Sequence, residues 1–588
     1  MNRSTIYRPG MESLSAQLLG IEACLSGRRA FLDSAEQARA QREIEAGLAL
    51  AETCDSINAL AVAIAGRFEP FYRNAGECLE RIHEIAGYGT LASCLSSLDI
   101  AEALFDTGLC DASGVASANL VIGRGHIAPL FYACRHLRRG MPLAFLAAVH
   151  DRVPSVVNKA YGFAYGMRHS LGEGVGIALG RAQTHRDQRV VCVAGDGELN
   201  EGVSYEAIRL IGELETRNLT LIVDSNGKGI DPLPGKLRPA YLAAYFDRVH
   251  EVDGHDAAAI GERMRDAERE GVSAAIVCHT RKGSHSFKRE GAKPAASAAV
   301  AASKASCCSL TGNLIEEVRD GAPAHIFTAD LAARFGLQPS HGYCNLGLAE
   351  SALLTAAMGC PEDELKFVLT DDKYYLNAVD VLHSALIGSR NLHVVAARKN
   401  GVWGGPTYVS TIFGLLEDTV YELTDPRDLE ACIRRRRASG SNGLYLLHDQ
   451  PMERVLALRE TYRRLSDELY AHQLEHAAGT VVLSSESMAY EAFQAVDGKR
   501  CAHIRTLSTR PDLERVRKLL CAAEEVVVVE HNGSRSNLAE YVEATLLIRV
   551  KKIYSDAYEW PRIETFQAAA APRKLEALLT EPSCALAG

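Results

Sequence analysis

Short apolar runs rich in β-branched residues alternate with amphipathic segments along most of this chain. The runs RVVCVAGDG, from Arg189, and LTLIVDSNG, from Leu219, flank a segment whose apolar residues recur on one helical face. This strand–helix–strand pattern predicts a parallel sheet with helices on both faces. Because the alternation returns twice, the sequence predicts an α/β protein of three consecutive doubly wound α/β domains, at 76–290, 312–460 and 461–588.

Two further segments break the alternation. Residues 1–75 contain helix-forming stretches such as AEQARAQREIEAGLALAETC, with apolar residues at three- and four-residue spacing. We expect a helical N-terminal extension there, with a capping or dimerisation role. Residues 291–311 are rich in alanine and serine and include a proline, which is typical of a linker between domains.

Composition narrows the class of protein without identifying it. The 588 residues are 47% hydrophobic and 23% charged, as in ordinary globular proteins, and the net charge of -10 argues against a nucleic-acid-binding surface. The 16 cysteines form no CxxC pair and no zinc-ligand spacing, so we expect reduced thiols in a cytoplasmic protein. No run of about 18 apolar residues could span a bilayer, and the N-terminus lacks a signal-peptide core, so no membrane partner is expected.

The strongest local signal is a pair of motifs, each of which ends one of the two apolar runs. G-D-G-E occupies 195–198, and D-S-N-G-K occupies 224–228. In a parallel sheet both lie at the carboxyl edge, where α/β proteins bind ligands. A hard divalent cation, Mg²⁺ or Ca²⁺, prefers oxygen ligands, which the Asp196 carboxylate, the Asn226 amide and the Lys228 carbonyl would supply. The residues expected to contact a bound diphosphate are Gly195, Asp196, Gly197, Glu198 and Asn226.

Together the two motifs resemble the signature of the transketolase family of thiamine-diphosphate enzymes. That family reads GDG-x-x-x-EG-x-x-x-E, then a strand, then D-x-N, and this chain reads GDGELNEGVSYE and then LIVDSNGKG. The resemblance implies thiamine diphosphate and a divalent metal as cofactors. It also implies a diphosphate-binding domain at 76–290, a pyrimidine-binding domain at 312–460 and a C-terminal domain at 461–588.

The resemblance also implies roles for three glutamates. The family protonates N1′ of the aminopyrimidine with a glutamic acid from a G-I-A-E-like motif, and N-L-G-L-A-E at 345–350 matches it. Glu350 is therefore the candidate catalytic acid, and a carboxyl group that opens a buried helix should have a raised pKa. Glu201 and Glu206 match glutamates that link the two active sites of a transketolase dimer. A homodimer with active sites at the subunit interface is thus implied.

Further positions are assigned by the same resemblance. His126, in G-R-G-H, matches a histidine over the thiazolium that contacts donor-ketose hydroxyls or moves protons. Leu171 would support the thiazolium, and Gly172 would admit the diphosphate. Tyr374 would stack on the pyrimidine ring, and His285 lies where the family has another active-site histidine.

The substrate pocket departs from the family pattern. Tyr88 replaces a sugar-binding histidine, His169 stands where glycine is usual, and Tyr408 replaces another histidine. Asp371 takes the place of a phenylalanine. Asp449 takes the place of an arginine that grips a sugar phosphate, so it should repel phosphate. We therefore expect transfer of a two-carbon ketol unit between atypical, including unphosphorylated, ketose and aldehyde substrates.

Two alternatives stay open. A carboligase that decarboxylates a 2-oxo acid, resembling deoxyxylulose-phosphate synthases, would use the same anchor and the same glutamic acid. A catalytically silent scaffold homologue would explain the altered pocket, but such a protein has no physical need for a metal anchor and a buried acid.

Overall fold

The computed structural model describes residues 13–86, 90–148, 157–167, 170–229, 231, 235, 237–283, 305–398, 420–530 and 538–554. The chain divides into two compact units, the first of which ends at Val300 while the second begins at Ala301.

The first unit contains one parallel sheet. Its strands are β1 (Leu120–Ile122), β2 (Tyr165–Gly166), β3 (Val190–Gly195), β4 (Leu219–Ser225), β5 (Arg248–Asp253) and β6 (Ala274–His279). They lie in the order β2-β1-β3-β4-β6-β5. Side chains of β3 enter two separate apolar cores, Val191 and Val193 on one face and Val190 and Cys192 on the other. Burial on both faces explains why this strand is a continuous apolar run.

The helices of the first unit cover both faces of this sheet. They are α1 (Leu14–Arg28), α2 (Ser34–Leu50), α3 (Ile57–Ala65), α4 (Ala75–Ala86), α5 (Leu91–Ser96), α6 (Leu98–Asp106), α7 (Ala128–Leu137), α8 (Leu143–Ala147), α9 (Glu173–Thr184), α10 (Gly202–Glu213), α11 (Pro239–Ala243) and α12 (Ala257–Glu270).

The helices expected near the N-terminus are α1, α2 and α3. Helix α2 begins with a capping box, in which Asp33 and Glu36 each accept a hydrogen bond from the other's backbone N–H. The buried Glu43 carboxylate of α2 accepts a hydrogen bond of 2.8 Å from the backbone N of Ala144, in α8. These helices share one hydrophobic core with β1 and α7, so they pack into the first unit. A domain boundary at residue 75 stays a prediction.

The second unit contains two sheets. The strands of the first are β7 (Ala324–Thr328), β8 (Cys344–Asn345), β9 (Leu365–Asp371), β10 (Leu392–Ala397), β11 (Val420–Leu423) and β12 (Gly443–Leu447). The strands of the second are β13 (Arg463–Arg464), β14 (Leu469–His472), β15 (Thr480–Ser485), β16 (Cys501–Thr506), β17 (Glu525–Glu530) and β18 (Lys551–Tyr554). The orders are β11-β12-β10-β9-β7-β8 and β13-β14-β16-β15-β17-β18. All pairs are parallel except β13 with β14 and β14 with β16.

Helices again flank both sheets. They are α13 (Cys307–Arg319), α14 (Glu350–Met358), α15 (Val379–Gly388), α16 (Pro426–Ala438), α17 (Met452–Thr461), α18 (Ala489–Val496), α19 (Glu514–Ala522) and α20 (Leu538–Leu546). Helix α13 begins inside the segment expected to be a linker, 291–311, because Ser306 and Ser309 form a capping box. Its Cys307 and Cys308 are buried in the core of the second unit.

Three six-stranded sheets, each flanked by helices, confirm the expected α/β class with three doubly wound domains. Within the described residues, none of the helices combines the length and the apolar character that a membrane crossing requires.

Candidate cofactor site

The two glycine-containing motifs meet at the carboxyl edge of the first sheet. Asp196 follows β3, and its Oδ2 accepts a hydrogen bond of 2.7 Å from the backbone N of Gly227, beyond β4. Its Oδ1 accepts a hydrogen bond of 2.8 Å from the backbone N of Gly197. The backbone N of Asp196 donates to the carbonyl of Asp224 over 3.1 Å. The strand–helix–strand unit therefore brings the two halves of the expected anchor together.

The anchor presents oxygen atoms that suit a hard cation. Asp196 is 4% exposed, and this burial, together with the nearby Asp224 carboxylate, raises its pKa. Asn226 is half-buried, and its Oδ1 accepts a hydrogen bond of 3.1 Å from the backbone N of Lys228. A cation beside Asp196 would offset the desolvation of its carboxylate. The residues present therefore fit a divalent metal.

That metal would also need oxygens from the cofactor. In the part of the chain that the structure describes, no three His, Cys, Asp or Glu side chains cluster closely enough to hold a metal ion. Protein ligands would be one carboxylate, one amide oxygen and one main-chain carbonyl, so phosphate oxygens would complete the shell.

A buried ion pair lies beneath the anchor, and sequence reasoning missed it. The Arg124 guanidinium pairs with the Asp224 carboxylate, which also accepts hydrogen bonds from Ser96 and Ser97 at 3.0 and 2.8 Å and from Thr280. Burial opposes ionisation of Asp224, but the Arg124 cation and these hydroxyl groups lower its pKa. The arginine inside the otherwise uncharged run G-R-G of G-R-G-H was the one sequence feature that could have indicated a buried ion pair. The pair fixes the loop after β1 to the end of β4.

Glu198 joins three glycine-rich segments. It is 2% exposed, and its Oε2 accepts a hydrogen bond of 3.3 Å from the backbone N of Gly195. A Cβ at Gly123 would lie 2.7 Å from Glu198 Oε1, and one at Gly174 would lie 3.3 Å away. Burial raises the pKa of Glu198 to about 7. The close approach of these backbones explains why the loops carry glycine, and it gives Glu198 a role in shaping the cofactor loops.

The loop before α9 contains the second predicted contact region. Leu171 is half-buried. Gly172 is buried and has a φ of +90°, a backbone conformation that residues other than glycine rarely adopt. A Cβ at Gly172 would lie 2.7 Å from the Cβ of Glu201. Glu201 is buried at the start of α10, whereas Glu206 is exposed on the same helix. The two glutamates expected to form one relay thus differ in environment within this chain.

His126 follows β1 in a short turn. Its carbonyl accepts a hydrogen bond of 2.8 Å from the Thr90 hydroxyl. Burial, followed by the Arg124 and Lys282 cations, lowers the pKa of His126 to about 3. The imidazole is therefore neutral at pH 7 and can accept or donate a hydrogen bond.

The candidate acid, Glu350, lies in the second unit. Glu350 is the first residue of α14 and is 4% exposed. Burial raises its pKa to about 7, as expected for a desolvated carboxyl group. Tyr374, the residue expected to stack on the pyrimidine, is half-buried, and the Lys373 ammonium lies 5.2 Å from its ring centroid. The neighbouring Tyr375 is fully buried, and its hydroxyl donates a hydrogen bond of 2.9 Å to the Val368 carbonyl.

The two aspartates at altered family positions share one arginine. Arg334 Nε lies 2.6 Å from Asp371 Oδ1, and its NH1 lies 3.3 Å from Asp449 Oδ2. Asp449 Oδ1 also accepts a hydrogen bond of 2.7 Å from the Ser306 hydroxyl. Because Arg334 partly neutralises Asp449, repulsion of phosphate is weaker than the sequence alone indicated. Asp371 is fully buried and replaces an aromatic contact with an ionic one.

Four predicted site residues lie outside the described residues. These are Tyr88, His169, His285 and Tyr408.

Comparison with known proteins finds similarity to transketolases over part of the chain. Residues 180–308 match the model of the transketolase thiamine-diphosphate-binding domain, a segment that contains both halves of the anchor. A transketolase of Sinorhizobium medicae is 33% identical over 193 residues, which is 29% of this chain and 28% of that protein. Over this segment the chain is similar to transketolases.

Other relatives match over a similar length. The human transketolase-like protein 2 is 29% identical over 227 residues, which is 34% of this chain and 36% of that protein. The match thus spans about a third of the length of these curated transketolases. A Campylobacter jejuni transketolase structure aligns over 86% of this chain and 99% of its own, with 15% identity and a TM-score of 0.37.

Proposed function

We propose that the chain is a thiamine-diphosphate- and magnesium-dependent enzyme that transfers a two-carbon ketol unit from a ketose to an aldehyde. The observation that carries this proposal is the contact between the buried Asp196 carboxylate and the backbone N of Gly227. Two motifs that are about thirty residues apart in the sequence are thereby held at one sheet edge with their oxygens available to a cation. A turn with no ligand would not need to bury a carboxylate there.

The raised pKa of Glu350 supports the proposal that the protein catalyses a reaction and does not merely bind the cofactor. Thiamine diphosphate, when bound, would supply the carbon nucleophile of the transfer, and a proton shared with its aminopyrimidine ring would favour that reactivity. With its pKa raised to about 7, Glu350 can hold a proton near neutral pH and share it with a ring nitrogen. His126, neutral at pH 7, is suited to hydrogen-bonding substrate hydroxyl groups.

We further propose that the substrates differ from ordinary sugar phosphates. The position of a phosphate-gripping arginine is held by Asp449, and the nearby Arg334 cation is already shared with Asp371. A phosphate would compete with two carboxylates for that guanidinium. Unphosphorylated ketoses avoid this competition.

A homodimer completes the proposal. Helix α10, which starts at the anchor, exposes apolar side chains: Val203 is 43% exposed and Tyr205 is 46% exposed. Glu206 lies on the same exposed stretch. Burial of these side chains against a second copy would remove apolar area from water and bring Glu206 into an interface.

The test is a transfer assay with an unphosphorylated ketose, erythrulose, as donor and glycolaldehyde as acceptor, in the presence of thiamine diphosphate and MgCl₂. Glu350→Gln should lose activity by at least a hundredfold, since general acid–base groups contribute about 10²- to 10⁴-fold. The matched control is Glu362→Gln, the same change at an exposed residue of the second unit, which should leave activity unchanged.

Other outcomes discriminate the alternatives. Efficient turnover of xylulose 5-phosphate with ribose 5-phosphate would contradict the proposed substrate class. Release of carbon dioxide from pyruvate would favour the 2-oxo-acid carboligase. A wild-type protein that binds the cofactor and yet gives no product with any of these substrates would favour the silent scaffold.

A further inference from the structure

A small cavity lies in the second unit, between the two sheets. Two glutamates and four hydroxyl-bearing residues contribute to its wall: Glu422, Glu530, Ser485, Thr506, Ser508 and Thr509. The cavity measures about 10 Å³, which is room for one species the size of a water molecule. Leu538, at the start of α20, completes the lining.

The cavity lies where a doubly wound sheet binds ligands. Strand β15 pairs with β16 on one side and with β17 on the other, which makes its carboxyl end a topological switch point. Ser485, Thr506 and Glu530 are the last residues of β15, β16 and β17. The lining is therefore assembled from three strand ends at the edge that faces ligands in this fold.

Glu530 is the least satisfied group in this wall. It is 1% exposed, and its Oε2 accepts a hydrogen bond of 3.2 Å from the backbone N of Leu538. Its buried Oε1 has no hydrogen-bond partner among the described residues. A buried carboxylate oxygen without a partner is costly, so a missing ligand is the simplest explanation.

Two of the hydroxyl groups and the second carboxyl group of the lining present electron pairs rather than hydrogens. Thr506 donates its hydroxyl hydrogen to the Ser508 carbonyl over 2.9 Å, and Thr509 donates to the Val420 carbonyl over 3.4 Å. Glu422 is 2% exposed and accepts a hydrogen bond of 3.0 Å from Ser487. Since no lysine or arginine belongs to the lining that the described residues form, the cavity favours a cation over an anion.

We propose that this cavity binds one potassium ion, with Glu530 Oε1 as its charged ligand. The donors are carboxylate and hydroxyl oxygens, which hard cations prefer. The volume admits one ion without its water shell, and a monovalent ion loses its water shell at a lower cost than a divalent ion does. This site is separate from the cofactor anchor and does not depend on the proposed function.

Electrostatics agree with this assignment. Burial, the Glu540 charge and the Glu422 charge raise the pKa of Glu530 to about 8. A bound cation would relieve each of these destabilising effects.

The direct test uses rubidium as an electron-dense substitute for potassium. Crystals of the wild-type protein, soaked in RbCl, should show an anomalous peak in the cavity, in direct contact with Glu530 Oε1. In solution, 100 mM KCl should raise Tm by about 2–5 °C relative to 100 mM choline chloride, because a ligand that binds only the native state stabilises it.

The matched variants are Glu530→Gln and Glu524→Gln, the latter exposed just before β17. Glu530→Gln should abolish the potassium-specific shift in Tm, and Glu524→Gln should retain it. Absence of the rubidium peak in the wild type, or a potassium effect that survives in Glu530→Gln, overturns the proposal. The crystal result decides the question even if Glu530→Gln does not fold.

Discussion

The buried pair of Arg124 and Asp224 should be a main stabilising contact of the first unit. Asp224 is fully buried and Arg124 is 5% exposed, so neither charge is solvated by water. Asp224→Asn leaves the guanidinium buried without its counter-charge, which costs about 3–5 kcal/mol. Opening of β4 should then become about 10²- to 4 × 10³-fold more frequent, since each 1.4 kcal/mol is a factor of ten.

The assay is hydrogen–deuterium exchange of peptides that cover β4 in the apoprotein, because exchange reports the local opening of one unit. The matched control is Glu213→Gln, which removes a carboxylate from an ion pair with Arg209 whose side chains are 50% and 51% exposed. That change should cost no more than about 0.5 kcal/mol.

A double variant separates loss of charge from loss of packing. Arg124→Met combined with Asp224→Asn leaves no uncompensated ion, so it should recover part of the protection that Asp224→Asn loses. If β4 exchanges in Asp224→Asn within threefold of the wild-type rate, the pair does not stabilise the sheet edge and the reasoning is refuted.

Three further predictions follow from buried groups and one strained glycine. Because the pKa of Glu350 is raised to about 7, the wild type loses stability as pH rises from 4.5 to about 7, and Glu350→Gln does not. The variant should therefore become more stable than the wild type over that interval, by up to about 3 kcal/mol. Urea titrations at pH 4.5 and 8 measure the difference, and an equal gain at both pH values would contradict it. Gly172→Ala should destabilise the first unit by more than about 1 kcal/mol, measured by thermal unfolding, because of the positive φ and the contact with Glu201. Arg334→Met should cost about 3–5 kcal/mol by removing a counter-charge from the buried Asp371 carboxylate, and the double variant with Asp371→Phe should recover stability in the same assay; no recovery would show that the aspartate is not the cause.

The sequence predicted the site residues whose place in the fold follows from their position beside a strand or at the start of a helix. Asp196 and Asn226 each follow an apolar run, so a parallel sheet necessarily brings them to one edge. The environment of Glu350 was also foreseeable, because a carboxyl group that opens an apolar helix is desolvated. Its raised pKa in the structure agrees with that expectation.

Contacts between distant segments were not foreseeable. Arg124 and Asp224 are 100 residues apart, and no local pattern pairs them. Asp449 was expected to repel phosphate, but its partners, Arg334 and Ser306, come from other parts of the second unit and could not be read from the local sequence. Glu198 was expected to contact the cofactor, whereas the structure shows how it also shapes the surrounding glycine loops.

The measurement that tests the central claim most directly is a calorimetric titration of the apoprotein with thiamine diphosphate, with and without MgCl₂, for the wild type and for Asp196→Ala. Metal-dependent binding in the wild type and none in the variant is the result expected if the buried Asp196 carboxylate anchors the metal and the diphosphate. Absence of binding in the wild type, or equal affinity in Asp196→Ala, would contradict the account.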